Sequence, residues 1–187
     1  MSGPAYRELD SGDRGRLADA LGDSPETVIP VHRLRRGLCR AYVSGSPSRF
    51  DGAIVQGTRL PEEPIGFGNA PEVLWGLLAS IRGWTCVNVA PKCASGLGAL
   101  MEGALGSPVR YLDDMYHTLT VPAVEFQSEA VRRLTLEDLP LLRSAPADVQ
   151  GGGFEDTAAM LSDGFVAGAI VDGRLAGIAH VSAATDR

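Results

Sequence analysis

This sequence has few cysteines, no long apolar run and no excess of basic charge. It has only three cysteines, Cys39, Cys86 and Cys93, a sparse and odd set that excludes a disulfide framework and is typical of a reducing compartment. No stretch approaches the roughly 18 apolar residues that a membrane span requires, and residues 1–9 lack the apolar core of a signal peptide. The formal net charge of -6 argues against nucleic acid or anionic lipid as partners. We therefore expect a cytoplasmic protein that binds neither nucleic acid nor a membrane.

What is present is enough apolar material for a folded core. The chain has 187 residues, of which 44% are hydrophobic and 21% charged. A chain of this size and composition buries one good core or two small ones. The order of its apolar patterns predicts an α/β (α+β) fold, in which mixed sheets are flanked by helices.

The first two thirds of the sequence alternate between helical and extended patterns. We predict helices over 10–22, 31–38, 72–81 and 92–105. Strands are predicted over 39–43, 51–57, 84–90 and 109–121, with a turn at 44–48 and a loop over 61–68. A strand, helix, strand unit normally crosses over right-handed, which predicts a parallel or mixed sheet.

A second module begins near the polar segment at 125–129, and we place the boundary between residues 123 and 124. Its first strand pattern covers 130–134, and Thr135 then caps a helix, with Asp138 in the place of the glutamate of an ideal capping box. A glycine loop and a short helix over 155–161 follow. Two apolar runs, 164–171 and 174–183, are joined by Asp172-Gly173 and predict a β-hairpin.

From residue 130 onward the sequence resembles the opening of a GNAT-type N-acetyltransferase domain. The likeness lies in VRRLTLEDLPLL and GFVAGAIVDGRLAGIAHVSA, in the order strand, two helices, second and third strands. The stretch WTCVNVAPKCASGLGALMEGALGSPVRYLDDMYHTLTVP resembles the accessory α/β domain that precedes the catalytic domain in some two-domain members. The resemblance implies transfer of an acetyl or other acyl group from acyl-CoA to an amine, carried by a small molecule or a protein.

The resemblance also implies where acyl-CoA binds. In the family its pyrophosphate lies on backbone N–H groups of a strand-to-helix turn with the pattern [Gln/Arg]-x-x-Gly-x-[Gly/Ala]. Arg174–Ala179 matches these letters but lies inside the predicted hairpin, with no helix behind it, so we assign no cofactor-binding residue. The fourth strand and the pyrophosphate turn are expected beyond Arg187. The interpretation is therefore an incomplete and inactive portion of a transferase.

Three residues are candidates for contact with the acceptor amine. In the family the connection between the first two helices lines the acceptor pocket, which points to Phe154 and Glu155, although a flexible link is the plainer explanation. His180, in the third strand, is either a proton acceptor near neutral pH or a structural residue. No catalytic residue can be named from the sequence.

The sequence contains neither a complete dinucleotide-binding fingerprint nor the spacing of a metal site. Gly96-x-Gly98 follows a predicted strand, but the third glycine of the fingerprint would fall on Met101, so we interpret these glycines as helix-to-sheet packing positions.

The candidate zinc ligands would be Cys86 and Cys93 with His32 and His117. They lack the spacing of a zinc site, so no metal is predicted.

Two alternatives to a transferase stay open. One is a non-catalytic ligand-binding or regulatory module on the same scaffold. The other is an assembly role, as a homodimer through the exposed C-terminal strand.

Overall fold

The structure is a computed structural model that describes residues 6–113, 128–146, 149, 158, 161–162 and 166–180. These residues form a mixed α/β fold with two sheets, as predicted. They divide into two compact units, the first within residues 6–113 and the second within 128–180. The predicted boundary between residues 123 and 124 lies outside the described residues. Within the described part of the chain, no helix combines the length and the apolar character needed to cross a membrane.

The first unit contains five strands and four helices. Its strands are β1 (Tyr6–Glu8), β2 (Cys39–Ser46), β3 (Arg49–Gly57), β4 (Ile65–Gly68) and β5 (Asn88–Val89). Its helices are α1 (Ser11–Leu21), α2 (Val28–Arg36), α3 (Pro71–Ser80) and α4 (Pro91–Leu105). The chain order is therefore one strand, two helices, three strands, a helix, a strand and a helix.

The five strands form one mixed sheet in the order in which they occur along the chain. The pairs β1–β2, β2–β3 and β3–β4 are antiparallel. The pair β4–β5 is parallel, with Ile65 opposite Asn88 and Gly66 opposite Val89. The parallel pair follows from the crossover through α3, since parallel neighbours need a long connection. β4 and β5 pair at only these two positions.

Helices cover both faces of the sheet, because successive side chains of its strands point to opposite faces and both faces are apolar. One face packs on α1 and α2 through buried residues such as Leu17 and Val31, against Val43 and Val55 of the strands. The other face packs on α3 and α4, in a cluster that contains Tyr42, Ile54, Leu74, Leu77, Leu78, Cys93 and Leu97. Side chains of neighbouring strand residues therefore enter opposite cores, as the two-residue period of a strand requires.

The second unit contains a three-stranded antiparallel sheet, in the order β6 (Val131–Arg133), β7 (Val166–Val171), β8 (Arg174–His180). A 3-10 turn over Leu136–Asp138 leads into α5 (Leu139–Ser144), and the described residues between 149 and 162 have helical backbone. The predicted hairpin is confirmed, with Asp172 at φ 50° and Gly173 at φ 71° in its two-residue turn. Positive φ at both turn positions matches the right-handed twist of the two strands.

The strand pairing of the second unit repeats that of the opening of the first, at a constant spacing of 125 residues. Tyr6 lies opposite Ser44 in β1 and β2, and Val131 lies opposite Ala169 in β6 and β7. The hairpins match in the same way: Ser46 pairs with Arg49, and Val171 with Arg174. Even the irregularity in register recurs, between residues 44 and 45 and again between 169 and 170.

An ion pair at the start of each unit obeys the same spacing. Arg7 lies 2.6 Å from Asp13, and Arg132 lies 2.6 Å from Asp138. Between the members of each pair a leucine enters the core, Leu9 at 3% exposure and its counterpart at position 134 at 1%. Each of these leucines donates its N–H to the neighbouring strand, at 2.8 Å and 2.9 Å respectively. The same interactions therefore fix the entry of the chain into both units.

Several predicted boundaries in the first unit are wrong. β2 runs to Ser46 instead of ending at Val43, so that the turn shrinks to residues 47–48. The predicted loop over 61–68 contains β4, which was missed because two of its four residues are glycines. Gly66 packs closely there: a Cβ atom would lie 3.0 Å from a Val89 methyl and 3.2 Å from an Ile54 methyl, so these side chains would have to shift by a few tenths of an ångström.

The predicted strands over 84–90 and 109–121 also need correction. Only Asn88–Val89 of the first is extended, because Trp84 instead donates its indole N–H to Leu78 O at 3.0 Å and Thr85 and Cys86 donate to Glu62 O in a loop. Of the second, residues 109–113 are not in a strand, and the remainder lies outside the described residues.

Candidate functional site

An open cleft of about 640 Å³ lies in the first unit. Three segments form its walls: the connection between α1 and α2, the start of β3, and the turn between β4 and α3. They contribute Ala20, Leu21 and Thr27; Phe50 and Asp51; and residues 67–70. A volume of this size is within the range of small-molecule sites.

The α1–α2 connection is held in place by hydrogen bonds around Thr27. Its hydroxyl donates to Gly22 O at 2.6 Å and accepts the N–H of Ser24 at 2.8 Å. Gly22 has a φ of 68° and ends α1, a conformation that favours glycine. Thr27 is buried, with 8% exposure. This wall is therefore preformed.

The start of β3 supplies an aromatic ring and a carboxylate. Phe50 lies opposite Gly45 of β2, just after the irregularity in register, and is half-buried against the core beneath α1 and α2. The next residue, Asp51, is exposed at the cleft. Among the described residues that line the cleft, Asp51 is the only ionisable one.

The turn between β4 and α3 forms the third wall, and Gly68 determines its shape. Gly68 has a φ of 133°, and a Cβ atom there would lie 2.7 Å from the backbone oxygen of Asp51. Its own carbonyl oxygen accepts a hydrogen bond from the Cys93 thiol of α4 at 3.2 Å. Ala70 then caps α3, with Pro71 at the first helical position. Only glycine fits where the turn crosses so close to β3.

This turn carries part of a phosphate-binding pattern that the sequence analysis missed. Ile65-Gly66-Phe67-Gly68-Asn69-Ala70 has the glycine and alanine of [Gln/Arg]-x-x-Gly-x-[Gly/Ala] at a strand-to-helix turn, but Ile65 stands where the pattern has glutamine or arginine. The signal in the sequence is Gly-x-Ala directly before a proline that begins a helix. It was overlooked because β4 was read as loop.

The residues at this turn do not fit the pyrophosphate of acyl-CoA. No lysine or arginine is among the described residues lining the cleft, and the carboxylate of Asp51 lies there instead. Glu72 adds a second negative charge in the first turn of α3. A pyrophosphate would meet like charges at a place where anion sites offer donors and cations. We therefore assign no cofactor-binding residue to the first unit.

Of the residues predicted to contact an acceptor amine, Phe154 and Glu155 lie outside the described residues. His180 is the last residue of β8 in the second unit, exposed and opposite Val166. The α4 glycines lie at close-packing positions, but not against the sheet as predicted: a Cβ atom on Gly96 would lie 2.7 Å from Pro71 at the start of α3, and one on Gly98 would overlap the Tyr111 side chain.

The three cysteines are reduced, and two of them are buried. Cys39 and Cys93 are buried and Cys86 is exposed, and burial raises the pKa of the Cys39 thiol to about 11. Across the described ranges, no group of three or more histidine, cysteine, aspartate or glutamate side chains is placed to hold a metal ion.

Comparison with known proteins gives no match: no protein-family description, curated protein or solved structure is significantly similar to this chain. The physical features of the cleft must therefore carry any functional conclusion. They are a preformed threonine wall, two aromatic rings, one carboxylate, and a glycine turn without cations.

Proposed function

We propose that this protein derives from the GNAT-type N-acyltransferase scaffold and that its first unit is an amine-binding module that does not transfer acyl groups. The observation that carries the proposal is the position of the cleft. It opens between the connection of the first two helices and the turn after the fourth strand, next to a carboxylate and without a cationic side chain.

The resemblance to the GNAT family lies in the second unit, and the repeat is the reason for extending it to the first. The resemblance to the opening of a GNAT domain rests on residues from 130 onward, and those residues match the first unit at the constant spacing of 125 in strand pairing and hairpin register. Two segments that share element order and register at every described pairing share a fold. If the second unit is GNAT-like, the first is GNAT-like as well, and is not an unrelated accessory domain.

The first unit continues where the described part of the second stops. After its hairpin come a fourth strand, a strand-to-helix turn and a helix, which is the order that the resemblance implies for a cofactor-binding transferase. The α1–α2 connection lines the cleft, and the resemblance implies that this connection contacts the acceptor amine. These two correspondences support an amine-binding role.

The same turn argues against acyl transfer by this unit. Ile65 replaces the polar residue of the phosphate pattern, and Asp51 and Glu72 make the surroundings of the turn acidic. Acyl transfer needs the thioester held beside the amine, since positioning of the two reactants supplies much of the rate. A unit that accepts the amine and repels the cofactor is a binding module, which agrees with the non-catalytic alternative that the sequence left open.

Calorimetric titration of the full chain tests this proposal. We expect small primary amines to bind and acetyl-CoA not to bind in the cleft. Ala20→Trp, which places an indole at the exposed wall of α1, should abolish amine binding. Ala104→Trp, on an exposed position of α4 away from the cleft, is the matched control and should bind as the wild type does.

Two results would contradict the proposal. If no amine binds, the cleft has no such function. If acetyl-CoA binds in the micromolar range and Ala20→Trp abolishes that binding, the cleft is a cofactor site despite its acidity, and the first unit belongs among active transferases.

A further inference from the structure

Two residues that line the cleft of the first unit are replaced in the second. Phe50 and Asp51 correspond to Leu175 and Ala176 at the spacing of 125, in strands of the same register. The second unit therefore has neither the ring nor the carboxylate at these positions. Gly52, directly after Asp51, is kept as Gly177, so the backbone of the strand is conserved while its cleft-facing chemistry is not.

We infer that Asp51 determines the specificity of the first unit for a ligand that carries a positive charge, a class of aliphatic ammonium compounds. This inference rests on the proposed amine-binding function and adds the charge state of the ligand and the residue that recognises it. The acceptor of a transferase must present a neutral amine to react, whereas a binding module can hold the protonated form, which predominates at neutral pH for an aliphatic amine.

The surroundings of Asp51 suit a cation with an apolar body. Phe50 and Phe67 line the same cleft as half-buried rings, and aromatic faces attract ammonium groups as well as covering methylene chains. Asn69 adds a neutral oxygen acceptor nearby. Among the described lining residues none carries a positive charge that would compete for the carboxylate within the cleft.

A pair of matched probes isolates the charge. We would titrate the full chain with n-hexylamine, which is protonated at pH 7.5, and with 1-hexanol, which has the same chain length and no charge. The variant Asp51→Asn removes the charge and keeps the shape of the side chain. Asp172→Asn is the control, because it removes one charge in the hairpin turn of the second unit and asparagine tolerates the positive φ of that turn.

We expect hexylamine to bind more tightly than hexanol to the wild type. Asp51→Asn should weaken hexylamine binding about fivefold and leave hexanol binding unchanged, a modest factor because the carboxylate is exposed and partly screened by water. Raising the salt concentration should weaken only the hexylamine complex. Asp172→Asn should change neither ligand's affinity by more than the error of the measurement.

The outcomes separate this inference from the proposal beneath it. Equal binding of hexylamine and hexanol, unaffected by Asp51→Asn, overturns the charge selectivity and leaves an amine-accepting cleft of apolar character. Failure of both probes to bind overturns the proposed function together with the inference. An equal loss of hexylamine affinity in Asp51→Asn and Asp172→Asn shows that net charge, and not the cleft, attracts the cation.

Discussion

Replacing Gly68 by alanine tests whether the turn that shapes the cleft is built as described. At a φ of 133° an L-residue is strained, which costs about 1–3 kcal/mol. The new Cβ would also lie 2.7 Å from the backbone oxygen of Asp51 and 3.1 Å from the Cα of Gly52. Both contacts are with backbone, so neither can be relieved by turning a side chain. Relief requires β3 and β4 to move apart.

We therefore expect Gly68→Ala to lower the free energy of unfolding of the first unit by at least about 2 kcal/mol. The matched control is Gly103→Ala in α4, where a Cβ would meet nothing within 4 Å and the backbone is helical. That change should stabilise the unit by about 0.5–1 kcal/mol, because alanine loses less conformational freedom in a helix than glycine.

Tryptophan fluorescence during urea unfolding measures this difference directly. The chain has two tryptophans, and both, Trp75 and Trp84, lie in the first unit, where their rings meet edge to face with centroids 6.5 Å apart. With a typical slope of about 2 kcal/mol per molar urea, a loss of about 2 kcal/mol moves the midpoint down by about 1 M. A midpoint for Gly68→Ala at or above that of the wild type would refute both the described turn and the cleft that depends on it.

Three further predictions concern the thiols and the ion pair of the second unit. Cys39 and Cys93 should resist a thiol reagent in the folded protein at pH 8, whereas Cys86 should react at once. Burial raises the pKa of the Cys39 thiol from 9.0 to about 11. The stabilisation of the folded state by the neutral thiol is therefore intact below about pH 9 and is lost as the pH rises toward 11. The difference in free energy of unfolding between the wild type and Cys39→Ala should narrow across that window, and a constant difference would contradict this prediction. The hydrogen bonds from the Arg132 guanidinium, followed by that from the Thr135 N–H, lower the pKa of Asp138, so Asp138→Ala should cost about 1 kcal/mol at pH 7, a figure kept small by solvent screening. That cost should fall as the pH drops below about 4 in urea unfolding followed by circular dichroism, and a cost that stays constant down to pH 2 would rule out the charged pair as its source.

Elements with strong local signals were predictable from the sequence. The Asp172-Gly173 hairpin, α1 ending at Gly22 and α4 ending at Gly106 all appear as expected, because a turn dipeptide or a glycine cap marks each end. The Thr135–Asp138 arrangement also forms, with the Thr135 N–H donating to the Asp138 carboxylate at 2.9 Å. In these places the local backbone preference and the final fold agree.

Elements that depend on long-range pairing were not predictable. β4 and β5 are four and two residues long, and two of the four residues of β4 are glycines, which give no local strand signal. The cleft is assembled from three segments separated by tens of residues, so no local pattern identifies it. Asp51 in particular was predicted only as the first residue of a strand over 51–57, and only the folded chain places it beside the turn that contains Gly68.

The two units have the same residue at a small number of aligned positions. These include the arginine and aspartate of the entry ion pair, the buried leucine between them, and the glycine at 52 and 177. The positions that differ include the aromatic ring and carboxylate of the cleft. The spacing of 125 holds through every described strand pair without an insertion, whereas the helical segments differ: α1 is continuous over Ser11–Leu21, and its counterpart is a 3-10 turn followed by the shorter α5. Because function resides in the site and not in the fold, shared strand pairing gives no reason to expect the second unit to bind the same ligand as the first.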